Sequence, residues 1–101
     1  MNDLEITKRI ADIVGCEYEG NNLVLAYGNW IDPLLDTMRA KAWCFDLMVG
    51  YGVTFESCQF YKGMFTAFTY SEHGVKVLPK AHENSPNKAI CLAIIAAHED
   101  V

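Results

Sequence analysis

Apolar residues recur along this chain with two different periods, and the points where the period changes divide it into elements. Near the start, Leu4, Ile6, Ile10, Ile13 and Val14 fall toward one side of a 3.6-residue period, while Glu5, Lys8, Arg9 and Asp12 fall elsewhere. This predicts a one-faced helix capped by Asp3 and stopped by Gly15, where glycine tolerates the left-handed turn that closes a helix. Cys16 to Asn22 is polar and acidic around Tyr18, with a turn at Glu19-Gly20-Asn21-Asn22. Leu23 to Tyr27 is too short for a helix and too apolar for a loop, which reads as a short strand.

After the connector Gly28 to Pro33, a second helix is expected to begin at Asp32 or Pro33, because the residue before proline is pushed out of the helical region. Met38, Ala42, Phe45 and Val49 repeat at helical spacing and define its expected buried stripe, joined by Leu34, Leu35 and Met48. Asp36, Arg39, Lys41 and Asp46 form a solvated side. Trp43 and Leu47 lie off that stripe, so the helix has either a wide buried face or an exposed apolar patch. Gly50 or Gly52 ends it.

From Val53 the period falls to two. Val53 and Phe55 alternate with Thr54 and Glu56. Met64 to Tyr70 is rich in aromatic and β-branched residues, and Val75 to Leu78 precedes Pro79. The turns Tyr61-Lys62-Gly63 and Ser71-Glu72-His73-Gly74 are too short for parallel crossovers, so the three strands form an antiparallel meander. Phe65 points one way and Phe68 and Tyr70 the other, so both faces of the sheet should be partly covered. A polar linker, Lys80 to Asn84, leads to a last helix with Ser85 as cap and Pro86 in the first turn. Its unbroken apolar run from Ala89 to Ala97 demands cover on more than one side, which makes it the element around which the others pack. The expected architecture is one α+β domain over residues 1–101. A three-stranded antiparallel meander, with a possible short fourth strand, is layered with three α-helices.

A hydrophobic content of 51% with 21% charged residues fits an ordinary folded domain. Thirteen acidic against eight basic residues give a formal charge of −5, opposite to what a phosphate backbone selects, so no nucleic-acid partner is expected. An acidic, polar start and the lack of any apolar run near the length of about 20 residues needed to cross a bilayer predict no membrane partner. Cys16, Cys44, Cys58 and Cys91 form no C-x-x-C pair and no matched Cys/His doublet. In a reducing compartment they read as small buried hydrophobes.

No catalytic constellation emerges, and no enzyme, cofactor or metal site is expected. His98, near a helix end, suits the helix dipole better than a metal. Cys58 and His73 could meet across the meander, but nothing in the pattern selects them as a nucleophile and base. Gly50-Tyr51-Gly52 follows a helix, the reverse of a strand-to-helix phosphate cradle. What remains is aromatic. Trp30 in a polar turn, Tyr61 beside Lys62-Gly63, Trp43, and Leu92 on the last helix are the candidate interaction residues.

Ile10-Ala11-Asp12-Ile13-Val14-Gly15, C-F-D-L-M-V ahead of G-V-T-F, and N-K-A-I-C-L-A-I-I-A-A-H near the end together make the chain resemble the phage ABA sandwich domain family. The resemblance runs over nearly the whole chain, with looser spacing from Pro33 to Trp43. It implies an α-β-α layered fold and a phage or prophage accessory protein in the host cytoplasm, and it transfers no functional residue. With the missing chemistry, it leads to the expectation of a non-enzymatic protein that binds a host or phage protein, as an inhibitor of a host defence system. The alternative is a homodimeric sponge for a small signalling nucleotide, with Lys62, Lys76, Lys80 and Lys88 as phosphate contacts. If the sheet takes the Ile90/Ile94 side of the last helix, either the helix from Pro33 to Val49 covers Leu92 and Ala96 in a monomer, or a second copy does so through Ala89, Leu92 and Ala96. The homodimer is the expectation, with Trp43 and Leu47 adding to the same patch.

Overall fold

The computed structural model describes residues 1–57, 63–77 and 83–99. Helix α1 runs over Asp3–Val14, strand β1 over Glu17–Glu19, β2 over Asn22–Val24 and β3 over Trp30–Ile31. Helix α2 follows at Met38–Gly50, then β4 at Thr54–Ser57, β5 at Phe65–Tyr70, β6 at Lys76–Val77, and α3 at Pro86–Glu99. The class is α+β, with β4, β5 and β6 forming the expected antiparallel meander. The expected fourth strand does not join it. Residues 22–24 instead sit at the centre of a second antiparallel sheet in the order β1-β2-β3.

Local chemistry explains most of the boundaries. The side chain of Asn2, one residue ahead of the expected cap, accepts from the Glu5 amide at 2.8 Å, and Gly15 takes the left-handed conformation at φ 79°. Ser85 Oγ accepts from the Lys88 amide at 3.3 Å, ahead of Pro86 in the first turn of α3. The turn between β5 and β6 closes as expected, with the Gly74 amide donating to the Ser71 carbonyl at 2.9 Å. The start of α2 is a correction. Asp32 Oδ1 accepts from the Leu34 amide at 3.0 Å, which makes an Asx turn and not a helix cap. The helix begins six residues later, at Met38, capped by Thr37 Oγ1 accepting from the Ala40 amide at 3.1 Å.

Helix α3 organises the core. One side packs on β5 and β6, and others meet α1 and α2. Phe55 and Phe65 on the sheet's α3-facing side stack at 5.2 Å, while Phe68 is buried on the opposite face, with Lys76 Nζ 3.9 Å from its ring. Both sheet faces are thus covered in part. Ala89, Ile90, Cys91, Ala93, Ile94 and Ile95 are all buried. Full burial of an isoleucine side chain contributes about 1.5–3 kcal/mol, so this helix carries a large share of the core energy. Ile6 and Ile10 of α1 and Leu23 and Ile31 of the β1–β3 sheet join the same cluster. Asn87, itself buried, donates from Nδ2 to the Leu35 carbonyl at 3.0 Å and ties the start of α3 to the segment before α2.

The faces of α2 are the second correction. The expected buried stripe points to solvent, with Met38 84% exposed, Phe45 57% and Val49 67%. Ala40 and Cys44 face the core instead, flanked by the partly buried Trp43, Leu47 and Met48. The end of the helix is as expected, with the Val53 amide donating to the Met48 carbonyl at 2.9 Å and Gly52 at φ 67°.

Candidate functional site

The three strands of the β1–β3 sheet total only eight residues, yet their register divides them into two faces. Tyr18, Leu23 and Ile31 are cross-strand partners on one face, and Leu23 and Ile31 are buried in the core. Glu17, Val24 and Trp30 are partners on the other face, and Glu19 stands opposite Asn22 on that same face. Trp30 is 47% exposed there. It shares an outward surface with Glu17 and Glu19, both exposed.

The connection from β2 to β3 turns over Leu25 to Asn29. The Leu25 amide donates to the Asn29 carbonyl at 2.7 Å, and Asn29 Nδ2 donates to the Ala26 carbonyl at 3.2 Å. Held in this turn, Tyr27 takes φ 62° and ψ 27°, a left-handed conformation found at no other non-glycine residue among those described. Its side chain is fully exposed. An L-residue with a bulky side chain loses roughly 1 kcal/mol or more in this conformation. A tyrosine that is strained and contributes no burial does nothing for the stability of the fold at that position.

The other expected interaction residues are placed differently. Trp43 and Leu92 are partly buried against the core cluster, Ala89 is buried and Ala96 is partly buried, so the face of α3 expected to meet a second copy is covered in part within the chain. Tyr61 lies outside the described residues, as do Cys58, Lys62 and Lys80. Of the other cations expected at phosphates, Lys76 sits over the Phe68 ring and Lys88 lies between Asp3, at 3.6 Å, and Glu83, at 3.8 Å. A cavity of about 250 Å³ at the start of α3 is lined by Leu34, Asp36, Lys41 and residues 84–87. Its lysine is already paired with Asp36 at 2.7 Å.

The thiols of Cys44 and Cys91 are buried side by side between α2 and α3. The Cys44 thiol donates to the Pro33 carbonyl at 3.3 Å. The hydrogen bond with Cys44, followed by burial, pushes the Cys91 thiol well above its ordinary value, so it stays protonated and unreactive. Burial also raises the half-buried Cys16. His98 Nδ1 meets the Ile94 carbonyl at 2.9 Å, and the ring lies edge-on to Tyr51, so this histidine closes the last turn of α3. Among the described residues no group of three His, Cys, Asp or Glu side chains could hold a metal ion, and no helix is long and apolar enough to cross a membrane. Compared with known proteins, the chain matches no family model, no curated sequence and no solved structure.

Sequence reasoning singled out Trp30 and counted Tyr27, at the end of an expected strand, only among the aromatics near connectors, without selecting it. The Tyr27-Gly28-Asn29 run carries the signal, since a turn rich in Gly and Asn needs left-handed positions that a neighbouring residue can be forced to share.

Proposed function

We propose that this chain is a small non-enzymatic phage accessory protein that works by gripping a basic surface of a host protein, and that it inhibits a host defence system by doing so. The observation that carries protein binding is Tyr27, fully exposed at a left-handed backbone position three residues before the half-exposed Trp30. Tyrosine and tryptophan are the side chains most enriched at binding hot spots. Glu17 and Glu19 on the same sheet face, in a chain of net charge −5, support a partner surface that is basic. The resemblance of residues 10–15, 42–55 and 87–98 to phage ABA sandwich proteins supports the phage origin.

The test compares the wild-type chain with a Tyr27→Asn/Trp30→Ala variant as baits in host lysate, followed by reconstitution with the captured protein. A partner with a basic surface should bind in fixed stoichiometry, be lost with the variant and weaken as salt rises. In cells carrying the partner's defence system, wild type but not variant should restore phage plating. A partner retained equally by the variant, or plating restored equally by both, overturns the assignment to this face.

A further inference from the structure

We propose that the outer face of α2 is a homodimer interface in which two copies pair antiparallel, helix against helix. This is a different face from the aromatic one and does not depend on it. Met38, Ala42, Phe45 and Val49 fall within one narrow arc of α2, directly opposite Ala40 and Cys44, and all four are exposed. An outward stripe with three large apolar members is costly to leave in water, and contiguous exposed apolar surface of this kind marks interaction sites.

The spacing of the stripe identifies the occupant. Its intervals of four, three and four residues are the hydrophobic seam of a helix pair, and they read the same in both directions. A twofold axis midway between Ala42 and Phe45 therefore sets Met38 against Val49 of the second copy and Ala42 against its Phe45. The small side chain receives the large one, twice.

Charge agrees with this pairing. Arg39 and Asp46, seven residues apart, lie along the same flank of the stripe, both exposed and without an ion pair among the described residues. In an antiparallel seam that flank meets itself, so Arg39 of each copy faces Asp46 of the other. A parallel seam would stack Phe45 on Phe45 and leave a gap at Ala42. It would offer Asp46 only Lys41, which Asp36 already holds at 2.7 Å. The antiparallel arrangement also opposes the two helix dipoles.

Sedimentation velocity on the full chain at about 100 µM should give twice the 11.3 kDa chain mass. Phe45→Lys should return the monomer mass with an unchanged far-UV circular dichroism spectrum, since Phe45 makes no core contact. Arg39→Glu should weaken the dimer roughly tenfold, and adding Asp46→Arg should restore it, because each exposed pair is worth up to about 1 kcal/mol. A mixture of Met38→Cys and Val49→Cys chains should cross-link under mild oxidation, while Met38→Cys alone should not. A monomer at 100 µM, a dimer indifferent to Phe45→Lys, or cross-linking of Met38→Cys with itself would each overturn the proposal.

Discussion

Helix α3 is apolar around most of its circumference, and the chain covers it: β5 and β6 lie against one side, α1 and α2 against others. Helix α2 is also apolar on opposite sides, but only the Ala40–Cys44 side is covered, and Met38, Phe45 and Val49 remain in water. Burial therefore does not follow from hydrophobicity alone. It follows from which side a neighbour can reach. For α3 the neighbours, all earlier in the chain, arrive from several sides in space, whereas among the described residues α2 meets the core through α3 and, by the Cys44 thiol, through Pro33.

The largest expected effect would break this comparison directly. Ile94, fully buried on α3, and Phe45, exposed on α2, are both large side chains at helical positions. Ile94→Ala removes packing from a closed core and should cost about 3–4 kcal/mol, whereas Phe45→Ala should stay within about 0.5 kcal/mol. Urea unfolding at concentrations low enough for a monomer measures both. Equal losses would mean that the outer stripe of α2 is core, and that the two helices do not differ as described.

A smaller effect probes the seam where the two helices meet. Folding holds the proton on Cys91 to higher pH than in the unfolded chain, because the Cys44 hydrogen bond and burial disfavour the thiolate. The unfolded state consequently binds fewer protons once pH passes the ordinary thiol value of about 8.5, and stability should fall above it, by up to about 1.4 kcal/mol per pH unit. Below that value this contribution is constant. Cys91→Ala should flatten the alkaline limb of the curve. A wild-type limb no steeper than that of the variant would show that the α2–α3 seam opens to water.

These contrasts also show what was legible in the sequence. Some stops and turns were, because their chemistry is local: Gly15, Ser85-Pro86 and Ser71 to Gly74 do in the structure what their residue types require, although α1 is capped by Asn2 instead of Asp3 and α2 by Thr37 instead of Asp32. The central role of α3 was legible from Ala89 to Ala97, since no other run in the chain needs cover on so many sides. The start of α2 misled, because Asp32-Pro33 makes the local contact of a helix start, the Asp32 carboxylate on the Leu34 amide, while the Leu35 carbonyl is taken by Asn87 of α3 and the helix begins only at Met38. Of the β1–β3 sheet only β2 was expected, as the short strand from Leu23; β1 and β3 were not, because strands of two or three residues are too short to show alternation. Which stripe of α2 faces inward is a tertiary choice, made by contacts with α3 and Pro33 that no periodicity within the helix contains. The candidate site was half legible for a related reason. Trp30 stood out by residue type, but the left-handed backbone of Tyr27 depends on how β2 and β3 pair.

The smallest expected effect sharpens the comparison from the covered side. Thr7 on α1 is fully buried, and its hydroxyl finds no hydrogen-bond partner among the described residues. Thr69, on the α3-facing side of β5, is buried with the same unmet hydroxyl. A hydroxyl taken out of water without a partner costs about 1–3 kcal/mol, and valine keeps the branched shape while removing the polar atom. Thr7→Val and Thr69→Val should each stabilise the chain, by roughly 1 kcal/mol. The gain at Thr69 should be the larger, because valine also suits a strand better than a helix. The two sites lie on different elements, so their effects should add within about 0.5 kcal/mol in urea unfolding. A loss of stability at either position would mean that its hydroxyl is hydrogen-bonded, and that the packing around α3 is more polar than its apolar run implies.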